Sequence, residues 1–109
     1  LYRAALASDL DARRRPQAVI QLASTLRNLG RLDESEALLR AELERITEAA
    51  TKPAFALEDE TRAFLALTLA SGGKAIEATA QALTALAPHL TRYNRSTAAY
   101  ARELFSLFG

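Results

Sequence analysis

Leu22-Ala23-Ser24-Thr25-Leu26-Arg27-Asn28-Leu29-Gly30-Arg31-Leu32-Asp33-Glu34-Ser35 and Leu65-Ala66-Leu67-Thr68-Leu69-Ala70-Ser71-Gly72-Gly73-Lys74-Ala75-Ile76-Glu77-Ala78 are two versions of one pattern. Each opens on Leu-Ala, places a Leu three residues after the Ala and a Gly four further, and continues to a Glu followed by a small residue. Leu38, Leu39 and Leu43 extend the first copy, and Ala82, Ala85 and Leu86 the second. Val19, Leu22, Ala23, Leu26 and Leu29 recur at three- and four-residue steps, which is one face of a helix. Pro16 suits the first turn, where its missing N–H is one the helix leaves unpaired anyway. Gly30 follows Leu29 where a left-handed, helix-ending conformation suits Gly. Asp33 and Glu36 have capping-box spacing for a second helix through Leu39, Leu43 and Ile46. Ala23, Ser35, Ala66 and Ala78 are small where two helices cross closely, since a larger side chain would overpack the contact by about 1–3 kcal/mol.

The segment from Thr47 to Leu57 around Lys52-Pro53 separates the copies, so a longer second helix followed by a loop is expected there. Residues 92–108 read as a further helix, with Tyr93, Thr97, Tyr100, Leu104 and Phe108 on one stripe. It is the natural cap of a stacked array, whose last apolar face has to be covered. From Ala75 to Leu90 the chain is apolar or small nearly all round with only Glu77 charged, a composition expected of a helix buried on every side.

These residues resemble the tetratricopeptide repeat family, best over residues 18–46 and 61–88, in the Leu-Ala pair, the turn Gly, the small residue after Glu and Pro88. The run from Leu22 to Arg31 is also similar to a small bacterial branch, the fifth tetratricopeptide group, whose role is largely undefined. The resemblance implies an all-α fold of antiparallel helix-turn-helix repeats stacked into a short superhelical array with a C-terminal capping helix. Residues 1–109 then form one domain: 1–11 as the end of a truncated repeat, 16–50 and 58–90 as repeats, 92–108 as the cap. Two departures stand out. Gly30 and Gly73 are 43 residues apart against a family period of about 34, which is expected to loosen the superhelix, and Leu and Ala replace the family's usual aromatic contacts.

The resemblance implies a non-catalytic scaffold that binds an unidentified protein or peptide in a concave groove lined by the first helices. The residues facing it would be Gln17, Gln21, Ser24, Arg27 and Asn28 in one copy and Ala63, Leu67 and Ala70 in the other. The Lys and Asn clamp by which family members hold acidic C-termini is absent. A mixed polar and apolar groove suits an amphipathic helix, with apolar anchors beside Leu67 and Arg27 and Asn28 fixing its orientation; the competing reading makes Leu67 core beneath the terminal helix. The alternative function is a homodimer through Tyr100, Leu104, Phe105 and Phe108.

Composition excludes several classes. Val19, Ile20, Ile46 and Ile76 are the only Val or Ile residues among 109, leaving little from which to build a sheet. With no Cys there is neither a disulfide nor a thiolate metal site, so a cytoplasmic location is the simpler expectation. The longest apolar run, near Ala63 to Ala70, is far below the ~20 residues of a membrane span. Abundant Ala and a basic complement that is nearly all Arg suggest a GC-rich bacterial gene. A net charge of +1 does not imply nucleic acid. Arg13-Arg14-Arg15 reads as a solvated connection balanced by Asp9 and Asp11, with contact to an acidic partner or phosphate as the alternative. Glu36, Arg40 and Glu44 read as a solvated ladder.

No catalytic constellation, metal site or cofactor is expected. His89 stands alone as a histidine and reads as a helix-end residue after Pro88. Glu58-Asp59-Glu60 are acids in a first helical turn, favoured by the helix dipole. Ser71-Gly72-Gly73-Lys74 lacks the Gly spacing, following Ser or Thr and preceding strand of a phosphate loop, so it is a turn.

Overall fold

The computed structural model describes residues 13–107. Among these, five α-helices and two one-turn 3-10 helices occur and no strand. They are α1 (Arg14–Asn28), α2 (Leu32–Glu48), α3 (Glu58–Ser71), α4 (Ala75–Leu86) and α5 (Asn94–Ser106), with 3-10 turns at Ala54–Ala56 and Ala87–His89. The expected repeat tail in residues 1–11, with Asp9 and Asp11, lies outside the described residues, as does Phe108.

Both repeats turn in the same way. Gly30 and Gly73 have φ of 79° and 81°, the left-handed region that Gly enters without Cβ strain. In the first turn Gly30 N–H donates to Arg27 O at 3.0 Å and Arg31 N–H to Leu26 O at 2.8 Å; in the second Gly73 donates to Ala70 O at 3.1 Å and Lys74 to Leu69 O at 2.9 Å. This Schellman closure satisfies carbonyls that a helix end would otherwise orphan. It also leads straight into α2 at Leu32, so the expected capping box does not form. No side chain caps α2, Asp33 is simply a first-turn acid, and the Glu36 carboxylate is taken by Arg40 and Lys74.

Val19 and Ala23 of α1, Leu39 of α2, Leu65, Ala66 and Leu69 of α3 and Ala78 of α4 form one buried cluster. α1 packs on α2, α2 on α3, α3 on α4 and α4 on α5, while α1 also touches α3. Small residues stand at the crossings as expected. Ser35, fully buried, donates from Oγ to Ala23 O at 2.8 Å and shares a 2.9 Å hydrogen bond with Thr68 Oγ1. One hydroxyl pair therefore ties α1, α2 and α3 where they converge. α2 is 17 residues long against 12 for α4, and residues 49–57 complete the expected longer connection.

Charged residues fasten the layers more closely than periodicity foretold. Glu36 and Arg40 are not merely a solvated ladder: Arg40 Nη2 reaches Glu77 Oε2 of α4 at 2.5 Å and Lys74 Nζ reaches Glu36 Oε1 at 2.9 Å. Partial burial opposes ionisation of Glu36, but hydrogen bonds from Lys74 and Arg40 outweigh it and hold its carboxyl below the ordinary range. Glu44 stays exposed. Glu42, buried beside Leu39 and Ile46, accepts from Arg15 Nε of α1 at 3.3 Å and Arg45 Nη2 at 2.5 Å. The Arg13-Arg14-Arg15 cluster is thus divided: Arg15 is on Glu42, Arg13 lies over the Phe55 ring at 5.6 Å, and Arg14 is exposed.

α5 lies on a different face from the one expected. Ala101 is its buried residue, with Thr97, Ala98, Leu104 and Phe105 half-buried, while Tyr93 and Tyr100 are exposed. Close approach to α4 selects the small side chain and turns the aromatic stripe outward. α4 is not buried all round either: Ala80, Gln81 and Ala85 are covered, but Ile76, Ala82 and Leu86 are open.

Candidate functional site

α3 presents Ala63, Leu67 and Ala70 on its exposed side, at the i, i+4, i+7 spacing that aligns side chains on one helix face. α4 presents Thr79 and Ala82 opposite them. With Ala66 and Ala78 between, these residues line an open trough of about 410 Å³. Neither side carries a charge within it. Leu67 is 47% exposed, so it is not core covered by the terminal helix. The trough is shallow because five of its seven lining residues are Ala, and shallow apolar concavity suits the ridge of a helix.

The residues expected on α1 lie differently. Gln17, Gln21 and Asn28 are exposed, and Ser24 and Arg27 are half-buried. Ser24 and Arg27 are the repeat counterparts of Leu67 and Ala70, shifted by 43 positions. Arg27 lies in the last turn of α1. Thr79, Ala82 and the trough-edge residues Ala66 and Ala78 were not among the expected site residues. Thr79 and Ala82 lie on an uncharged side of α4, but a helix apolar nearly all round does not announce which side stays open.

The expected dimer surface is split. Tyr100 is exposed on α5, whereas Leu104 and Phe105 are half-buried.

Two further polar clusters are held within the fold. His89 Nε2 lies 2.7 Å from Asp59 Oδ2, joining the turn after α4 to the start of α3. Glu58 meets Lys52 at 3.7 Å and Arg62 at 3.6 Å, and Arg62 donates to Gln81 Oε1 at 3.0 Å. Among the described residues no group of three or more His, Cys, Asp or Glu could hold a metal ion, and no helix is long and apolar enough to cross a membrane.

Antiparallel helix pairs, each closed by a glycine turn and stacked through small residues, define a helical-repeat protein of the scaffold class. A family model described as tetratricopeptide repeat, the fifth of that kind, matches residues 1–104, and the chain belongs to that family. Such repeats generally mediate protein–protein interaction and are typically non-catalytic scaffolds. No curated protein and no solved structure matches the chain.

Proposed function

We propose that the protein is a cytoplasmic, non-catalytic scaffold that holds a partner peptide or helix against the exposed sides of its first helices. The observation that carries this reading is the uncharged trough at Ala63, Leu67 and Ala70, an apolar concavity open to solvent between α3 and α4. Arg27 and Asn28 supply polar contacts on α1, and Gln17, Gln21 and Ser24 extend the same side. Burying a Leu such as Leu67 against a partner is worth roughly 1.5–3 kcal/mol if complete. The test is capture of binding proteins by the purified chain and by Leu67→Asp and Arg27→Ala variants. Leu67 is exposed and Arg27 half-buried, so both variants should keep the helical circular dichroism of the parent. Loss of capture with retained fold is expected; unchanged capture by both refutes the groove.

A second reading, self-association through α5, is favoured by the exposure of Tyr100 and Leu107, 63% and 67%. Light scattering after size exclusion, across a dilution series, tests it. A dimer that dissociates on Tyr100→Glu supports the reading, and a monomer throughout removes it.

A further inference from the structure

The two repeats allow a direct comparison of a helix pair that is stacked upon with one that is not. α3 lies on the α1–α2 pair, and its Leu65 and Leu69 share a buried cluster with Leu39, which is 0% exposed. Ala82, 43 positions after Leu39, is exposed. Ser24 and Leu43 are half-buried, and their counterparts Leu67 and Leu86 are 47% and 48% exposed. α5 packs on α4 but not on this face. Ala80, two residues before Ala82 and so about 200° around the helix, is fully buried, and Ala87 in the following turn is buried as well. Asn94 Nδ2 donates to Ala87 O at 2.8 Å and to Leu90 O at 2.6 Å, holding the start of α5 there. The face of α3 and α4 that corresponds to the seat of α3 is therefore vacant.

The residues of that seat specify what fits it. Ser35, which pairs with Thr68 across the occupied seat, becomes Ala78, so a hydroxyl arriving on a second helix would lose its partner, a costly arrangement in an apolar contact. Leu39 becomes Ala82, leaving volume for a larger incoming side chain. One sequence with these properties is already in the chain. α3 and α5 begin alike: Leu57 and Tyr93 both have positive φ, 58° and 66°, and the amides of Thr61 and Thr97 donate to their carbonyls at 2.9 Å. In that register Thr68 corresponds to Leu104, Leu69 to Phe105 and Leu65 to Ala101. The polar pair Ser35 and Thr68 gives way on both sides at once to Ala78 and Leu104, and a larger Phe105 accompanies the smaller Ala82.

We propose that the vacant α3–α4 face is a docking seat for a partner helix with the apolar pattern of α5, a small residue followed three and four positions later by Leu- and Phe-sized ones. The proposal rests on the scaffold reading and names the chemistry of its partner.

A synthetic peptide of residues 92–107, titrated onto the isotopically labelled full chain, tests it. Saturable one-to-one binding with Kd below about 1 mM is expected, with amide shifts centred on Leu67 and Ala82. Ala82→Arg in the protein, or Leu104→Ser with Phe105→Ser in the peptide, should weaken binding at least about tenfold. Phe105→Ser in the protein lies off the seat and should change peptide binding by less than about twofold, and Leu104→Ser serves the same purpose should that variant unfold. No binding to parent or variant, binding indifferent to Ala82→Arg, or shifts confined to Ala80 and Ala87 overturns the proposal. If the peptide fails while partner capture still depends on Leu67, the docking chemistry is wrong and the scaffold reading stands.

Discussion

Replacing Ser35 with Ala removes the hydroxyl through which three helices meet. Two bonds are lost, to Ala23 O and to Thr68 Oγ1, and Thr68, 2% exposed, is left with a hydroxyl that water cannot readily reach. A buried group stripped of its partner costs about 1–3 kcal/mol. Taking about 2 kcal/mol, Tm falls by roughly 8–16 °C for a domain of this size. Removing the second hydroxyl as well, by Thr68→Val, takes away the stranded group and keeps its shape. The double variant should therefore be no less stable than Ser35→Ala, even though two substitutions separate it from the parent. Urea unfolding of the parent, both singles and the double, followed by far-UV circular dichroism, gives the coupling from a complete cycle. A Ser35→Ala cost under about 0.5 kcal/mol, or strictly additive losses, refutes the claim that this pair joins the repeats.

Other substitutions probe the remaining joints. Glu42→Leu should change stability by no more than about 1 kcal/mol, because Arg15 and Arg45 can turn to solvent, whereas Arg15→Ala with Arg45→Ala leaves a buried carboxylate alone and should cost about 3–5 kcal/mol; chemical denaturation compares them. Gly30→Ala and Gly73→Ala should each cost about 1 kcal/mol, from positive φ alone, since no atom lies within 4 Å of the added Cβ, and the double variant should show the sum. The Glu36 carboxyl is held below its ordinary value of 4.5, so its contribution is present above that pH and is lost as acid brings the pH down through the folded value. Thermal melts as a function of pH should show a shallower acid decline for Glu36→Gln than for the parent.

The features legible in the sequence are those decided locally. A Gly directly after an apolar stripe announces a left-handed helix end, and Ala23, Ser35, Ala66 and Ala78 mark close crossings by their size. The longer α2 follows from the 43-residue spacing of Gly30 and Gly73. The features that escaped depend on partners far away in the chain. Glu42 shares a face with Leu39 and Ile46, a signal of burial, but nothing local identifies Arg15, 27 residues away, as its partner. Glu36 and Arg40 satisfy a four-residue ladder equally well whether solvated or bonded to α4. For α5, the expected stripe and the observed face share Thr97 and Leu104 and differ by one residue elsewhere; the aromatics Tyr93 and Tyr100 drew the assignment, while helix contact favoured Ala101. One wall of the trough, Ala63, Leu67 and Ala70, lies where the family resemblance put the outward side of that helix. Its other wall, Thr79 and Ala82, required knowing where α5 packs.

A scaffold of this kind works only if its α3–α4 face meets another protein. A photo-crosslinking amino acid placed at Leu67, at Ala82 and, as an exposed control, at Leu29 (66% exposed) measures this directly in cells. Discrete protein adducts from Leu67 and Ala82 that are absent from Leu29 are predicted. Adducts of equal yield from all three positions, or none from the groove pair, contradict it.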